Sequence, residues 1–324
     1  MQLIPRSAPH IRHSDNNKTL MGDMILTLLP LYLIGVCFYG LRVLAAMLCS
    51  VLVCWLADLL CSLLRTGRVN FRDFSPVVTG LLIPLLMPAA VPYYTVALAG
   101  VVAIAVIKHP FGGTGENLFN PAAGGVAFAI ACWPQQLFSY PAPFTAVPLW
   151  NAGEVLTLSS TAYTLKMGGL PGADLNDMLL GLVPGPVGTV SILVLLACMI
   201  YLAVRRTIHL EQSLCFLAAV ALAAFLFPRA DFSRTLSVLY ELMSGSVVFG
   251  AVFLLNDPVT SPKRTAARAL YGFAAGILVM LFRHFGAFEQ GMVFALLIMN
   301  TLSEEFDRLV SRPVRRAAER GKAA

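Results

Sequence analysis

Residues 74–107 read FSPVVTGLLIPLLMPAAVPYYTVALAGVVAIAVI, and the run contains no Asp, Glu, Lys or Arg. A helix that crosses a bilayer needs roughly 20 apolar residues for about 30 Å of hydrocarbon. The run is therefore long enough for a membrane, but Pro84, Pro88 and Pro92 cut it into short pieces. Working outward, residues 118–153 are also uncharged, whereas residues 304–322 are crowded with charge. The whole chain is 58% hydrophobic and 12% charged, against about 25% charged in soluble domains. That composition excludes an ordinary soluble enzyme and predicts an all-α polytopic membrane protein.

Apolar runs bounded by Pro, Gly and charge predict about ten transmembrane helices, at 22–40, 43–64, 74–89, 92–107, 119–136, 186–204, 212–228, 243–256, 268–283 and 290–306. Several are short enough to be half-helices, and backbone broken at membrane depth is tolerated only around a cavity or a buried ligand. Starting with the N-terminus inside, eighteen of the 23 basic residues fall on the inner side. Only Arg42, Lys166, Arg229, Arg234 and Arg283 fall outside. The positive-inside bias then places both termini in the cytoplasm. The expected organisation is a cytoplasmic tail 1–21 with no signal peptide, a first membrane repeat 22–136 and an extracytoplasmic loop 137–185. A second membrane repeat 186–306 and a basic cytoplasmic tail 307–324 complete it. The net charge of +6 follows this topology and not a nucleic-acid stripe. The seven cysteines lie in apolar runs without a CxxC pair, so no metal site is expected.

The halves share a pattern. Gly80 and Pro88 match Gly250 and Pro258, Lys108–Gly112 matches Arg283–Gly286, and Gly125–Ala129 matches Gly291–Ala295, in order and at nearly constant offset. An odd number of spans between equivalents predicts inverted repeats, which build sites near the bilayer midplane. No P-loop, HExxH, GxSxG or dinucleotide fingerprint is present, and no catalytic constellation is visible. The dense cluster FGGTGENLFNP (111–121) is the candidate ligand neighbourhood. Gly112, Gly113 and Gly115 would allow close backbone approach, and Asn117 and Asn120 would offer uncharged amides. The competing reading is tight helix packing and helix capping.

The segments SPVVTGLL, KHPFGGTGENLFNPAAGG, GAVFLLNDPVTSP and FGAFEQGMVFALLIMN, with Ser7-Ala8-Pro9-His10 at the start, resemble the D subunit of the Rnf complex, a membrane-bound ferredoxin:NAD oxidoreductase. The B subunit of the sodium-pumping NADH:quinone reductase is a close relative. The resemblance runs from about Ser7 to Pro313. It implies a urea-transporter-like fold of ten spans in two inverted repeats, in the bacterial inner membrane. It also implies a redox-driven Na+ or H+ translocase that passes electrons through bound flavin, with the A, B, C, E and G subunits of the Rnf complex and a flavin transferase as partners.

Such subunits carry FMN as a phosphoester on a threonine of an external motif, D-x-x-[ST]-G-A-T-P-L, before a Leu-Lys pair. Setting Leu165-Lys166 on that pair places Glu154 on the acid, Thr157 on the first hydroxyl residue, Ser159 on the alanine and Ser160 on the acceptor. Thr161 and Thr164 are neighbouring alternatives, and a subunit without covalent flavin is another. The resemblance further implies a second, noncovalent flavin (riboflavin or FMN) in the helical core. Asp58, Asp257 and Glu289 are acidic candidates for an ion path, with helix-end capping as the alternative for the latter two. A small-solute channel of the same fold is the alternative function.

Overall fold

The computed structural model describes residues 17–67, 73–150, 155–189, 191–229 and 233–322, with the backbone alone over 312–322. Most of the expected N-terminal tail and Glu154 lie outside the described residues. Helix α1 (Asn17–Tyr39) and α2 (Arg42–Thr66) form an antiparallel pair joined at Gly40. Then come α3 (Ser75–Leu85), α4 (Tyr93–Val101) running into a π-helical stretch Val102–Lys108, and α5 (Pro121–Cys132). The short α6 (Pro134–Leu137) leads to β1 (Tyr140–Pro141), β2 (Thr157–Leu158), α7 (Thr161–Lys166) and α8 (Leu175–Leu180). The second half holds α9 (Ile192–Val204), α10 (Leu210–Leu226), α11 (Arg234–Met243), α12 (Val247–Phe249) with a π-helical continuation Gly250–Leu254, α13 (Thr265–Phe285) and α14 (Met292–Lys322).

Among the described residues three helices are long and apolar enough to cross a membrane: Lys18–Tyr39, Arg42–Thr66 and Thr265–Phe285. Near the other expected spans, except 290–306 in the long α14, lie shorter or broken apolar segments. Helix α3 has 11 residues and α5 has 12; at about 1.5 Å per residue each reaches about halfway across a bilayer. The expected span 243–256 is instead a bent pair, Arg234–Met243 and Val247–Leu254, turning through 60°. Gly245, at φ +60°, sits in the break. Helix α14 runs from the expected last span on through the basic tail, to Lys322. The segment 137–185 is folded and not a plain loop. It contains an antiparallel pair, Tyr140 opposite Leu158 and Pro141 opposite Thr157, and the two short helices α7 and α8.

Close helix packing depends on missing side chains. A Cβ built on Gly80 in α3 lies 2.7 Å from Val51 Cα of α2, and one on Gly276 in α13 lies 2.6 Å from the Phe216 carbonyl oxygen of α10. Neither backbone can retreat cheaply, which matches the use of small residues where membrane helices touch. At the far end from the first turn of α1, buried Arg42 donates to the carbonyls of Ala89, Val91, Pro148 and Leu149. Its guanidinium also lies 4.7 Å over the Tyr93 ring. This arginine anchors the chain beyond α3, where Pro88 leaves carbonyls that no helix satisfies.

Gly276→Val is expected to wedge α10 from α13 and lower stability by about 1–3 kcal/mol. The check is the thermal midpoint of the purified protein in detergent, with Gly22→Val, where nothing lies within 4 Å, as the control.

Candidate functional site

A cavity of about 410 Å³ lies between the halves, at the end of the molecule that holds the first turn of α1. Three sequence clusters meet there: Ser75 and Thr79 from SPVVTG, Thr114, Gly115, Asn117 and Asn120 from GGTGENLFNP, and Asn256 and Asp257 from NDPVT. Two of the short helices begin at this cavity. α3 starts at Ser75 and α5 at Pro121, so the positive dipole ends of both lie at the same space, with Ser75 N capped by Asp73 and Ala123 N by Asn120.

Asn120 joins the halves. Its Oδ1 accepts from Ala123 N at 3.1 Å and caps α5, while its Nδ2 donates to the Leu254 carbonyl at 3.4 Å, across the molecule. With the Asn300 amide oriented to satisfy its neighbours, Asn120 N donates to it at 2.9 Å. Asn256 is held as firmly: Nδ2 donates to Ser213 Oγ and the Ala251 carbonyl, both at 2.8 Å, and Oδ1 accepts from His209 N at 3.0 Å. Asn117 donates to the Phe119 carbonyl at 3.0 Å, leaving its amide oxygen for a ligand. Gly115, at φ +92°, has nothing within 4 Å of a built Cβ and opens onto the cavity. Gly112 and Gly113 do not reach it; they shape the turn before it, against Glu116 and Arg65. The volume falls in the range of small-molecule pockets, about 300–1,000 Å³. The lining offers amides and hydroxyls together with the Asp257 carboxylate and the Lys263 ammonium, a set that fits a ligand with both donor and acceptor edges. Sequence reasoning missed the wall formed by Leu20, Met21 and Met24 of α1 and by Thr207, because apolar helix residues carry no local signal of facing a ligand.

The candidate residues of the 137–185 segment sit elsewhere. Ser160 caps α7 by accepting from Tyr163 N at 3.0 Å, and its hydroxyl donates to Glu289 Oε1 at 2.8 Å. Tyr140 donates to the same oxygen at 3.0 Å, and Gln290 donates to the Tyr140 hydroxyl at 2.9 Å. Burial pushes the Glu289 carboxyl up, opposed by these hydrogen bonds. Thr161 is buried and Thr164 donates to the Ser160 carbonyl. The space beside Ser160 and Thr161 is about 10 Å³, room for about one water. A phosphoester on Ser160 does not fit this arrangement. The exposed hydroxyls of the segment are Thr157 and Ser159.

The acidic candidates part company. Asp257 lines the cavity, Glu289 belongs to the outer network, and Asp58 is buried against Lys108. Lys108 also lies 3.3 Å from Asp73 Oδ2. Burial would raise the Asp73 carboxyl, but Lys108, with donors from Thr114 and Ser75 N, holds it below the usual carboxylate range. A depressed folded value contributes stability above the unfolded value and loses it as pH falls through the folded one. Asp73→Asn is therefore expected to flatten the fall of the thermal midpoint on the acid side, measured against the unsubstituted protein. Ser160→Ala removes a cap and is expected to cost about 1 kcal/mol, read as a lower thermal midpoint.

The sequence profile of the family described as NQR2, RnfD, RnfE matches residues 4–315. The chain is 28% identical over 317 residues to the D subunit of the proton-translocating ferredoxin:NAD(+) oxidoreductase complex of Clostridium ljungdahlii, covering 95% of this chain and 94% of that one. It is also 28% identical over 317 residues to the D subunit of the Na(+)-translocating ferredoxin:NAD(+) oxidoreductase complex of Acetobacterium woodii, covering 97% and 95%. Identity to the D subunit of the ion-translocating oxidoreductase complex of Cellvibrio japonicus is 30% over 328 residues, covering 93% and 91%.

Proposed function

Since the chain belongs to the NQR2, RnfD, RnfE family, we propose that it is the D-type membrane subunit of a redox-driven, ion-translocating ferredoxin:NAD oxidoreductase complex and that its inner cavity holds a noncovalent flavin. The observation that carries the second part is the meeting of SPVVTG, GENLFNP and NDPVT around one cavity, with the N-termini of α3 and α5 aimed into it. A flavin there would supply one- and two-electron exchange without a side-chain acid or nucleophile. The chain's own groups would bind and orient it: the Asn117 oxygen accepts from a ring N–H, the Gly115 backbone allows close approach, and the helix N-termini favour electron density on the ring. Phe253 and Met24 in the cavity wall limit water on the apolar side.

The ten-span, inverted-repeat reading is supported by the packing. α2 lies against α3 and α4 as α10 lies against the α12 continuation and α13. The KHPFGG turn flanks the inner cavity, while its sequence counterpart at Arg283 lies beside Glu241, Ser244 and Gly245 at the opposite end. Such an exchange of ends is what inversion requires. With both termini in the cytoplasm of a bacterium, the cavity faces the inner side and the 137–185 segment the outer. The A, B, C, E and G subunits of the complex and a flavin transferase are the partners this reading implies. The two equally similar relatives are named for different ions, so likeness does not select the ion. Attachment of FMN at Ser160 would require the Ser160–Glu289 bond to open; an intact mass of the protein made with the transferase decides it.

The direct test is flavin released by acid from the purified native complex. One noncovalent flavin assigned to this subunit is expected, and Asn117→Ala is expected to weaken its retention by about 1–3 kcal/mol, with assembly intact. Full retention by both Asn117→Ala and Gly115→Val would leave the cavity as packing space.

A further inference from the structure

Beside the cavity lies a buried charge cluster that its binding role does not use. Lys108, fully buried at the end of the π-helical stretch, places Nζ 2.8 Å from Asp58 Oδ1 of α2 and 3.3 Å from Asp73 Oδ2. His109 Nε2 lies 2.9 Å from the same Asp58 oxygen. A carboxylate only accepts, so Nε2 carries the hydrogen. That leaves His109 Nδ1, which is buried and has no hydrogen-bond partner among the described residues. At the other end of the cluster, Asp73 accepts from the Thr114 hydroxyl and, at 2.9 Å, from Ser75 N. Thr114 and Ser75 both line the cavity.

Two carboxylates, one ammonium and one imidazole are joined here in a continuous chain of close contacts. An isolated buried charge is expensive, whereas a paired one is tolerated. The other ionisable groups around the cluster are Cys54 and Cys61 on α2, which feel the Asp58 charge, and Arg65 and Glu116, which flank the Gly112–Gly113 turn beyond His109.

We propose that Asp58, Lys108, His109 and Asp73 form a proton-holding relay that delivers a proton to the cavity through Thr114. One proton enters at His109 Nδ1 and one leaves from the Thr114 hydroxyl to an acceptor in the cavity. In between, Nε2 gives its proton to Asp58, Asp58 to Lys108, Lys108 to Asp73, and Asp73 restores the hydroxyl. The entering proton comes from water at the protein surface. His109 ends as the Nδ1–H tautomer until a turn of its ring returns the hydrogen to the Asp58 side. Every other group ends with the protons it began with, one positive charge has moved, and no electron is exchanged. A ring that gains electrons in the cavity needs protons from such a source, so the assignment rests on the flavin reading above. Its own residues and geometry are independent of the outer segment.

The test uses the native complex carrying His109→Gln, which keeps a donor for Asp58 but cannot pass a proton from one side of the ring to the other. Electron transfer is followed on both sides of the usual imidazole value, about 6.5, alongside acid-released flavin. Unchanged flavin content is expected, with a rate loss on the order of 100-fold on the alkaline side and a smaller loss on the acid side. His109→Ala is expected to recover with added imidazole, a response that a packing role does not give. Should His109→Gln fail to assemble, Asp73→Asn, which keeps an acceptor for Ser75 N, is expected to show the same pH-selective loss. Rates parallel to the unsubstituted complex at every pH, with no imidazole recovery, would overturn the relay. Absence of flavin from the unsubstituted complex would overturn the cavity reading alone, because the pH profile and the imidazole response still decide the relay.

Discussion

Backbone that stops short inside a membrane must find partners within the protein, and the rest of this structure follows from that requirement. Each helix end leaves up to four N–H or C=O groups unpaired, and hydrocarbon offers them nothing. α3 and α5 are too short to carry their ends to water on both sides. The chain leaving the C-terminal end of α3 is met by Arg42 and by the chain around Val187, whose N–H bonds the Met87 carbonyl at 3.1 Å. The N-termini of α3 and α5 instead converge, and the polar residues that satisfy them, Asn120 above all, create a pocket with directed hydrogen-bonding capacity. The cavity is thus a consequence of broken helices, and its chemistry is that of helix ends.

The same requirement explains where charge is tolerated. Lys108 and Arg283, both fully buried, occupy sequence-related positions; Lys108 closes a pair of carboxylates and Arg283 a network of one carboxylate and two carbonyls. The Arg283 guanidinium is spent on Glu241 and the Ser244 carbonyl, and Arg229 supports Glu241 from the other side. Both ends of the molecule are therefore pinned by buried ion clusters, but of the two the Lys108 cluster adjoins the cavity lined by Asn117 and Asn256. That difference separates an anchoring cluster from one placed to serve the site.

Much of the fold was legible because hydrophobic runs and their Pro and Gly breaks are local. The positions of α1, α2, α3, α10 and α13 follow from the sequence, as does the place of GENLFNP beside a cavity. Contacts between distant residues were not legible. Asn120 meets Leu254 across 134 positions and Lys108 meets Asp58 across 50, and no local pattern marks either pairing. Ser160 reads as an external hydroxyl, yet α7 and Glu289 enclose it, because burial in a loop depends on which distant segment covers it. Gly112 and Gly113 look equivalent to Gly115 in the sequence, but only Gly115 borders the cavity.

The central claim is that the broken helices of the two halves enclose a bound planar cofactor between Asn117 and Asn256. An electron cryomicroscopy map of the native complex tests it most directly. The account predicts flat, ring-shaped density in the inner cavity, edge-on to Asn117 and bordered by Gly115. Density for a lipid chain or for a side chain of a neighbouring subunit filling that space would contradict it.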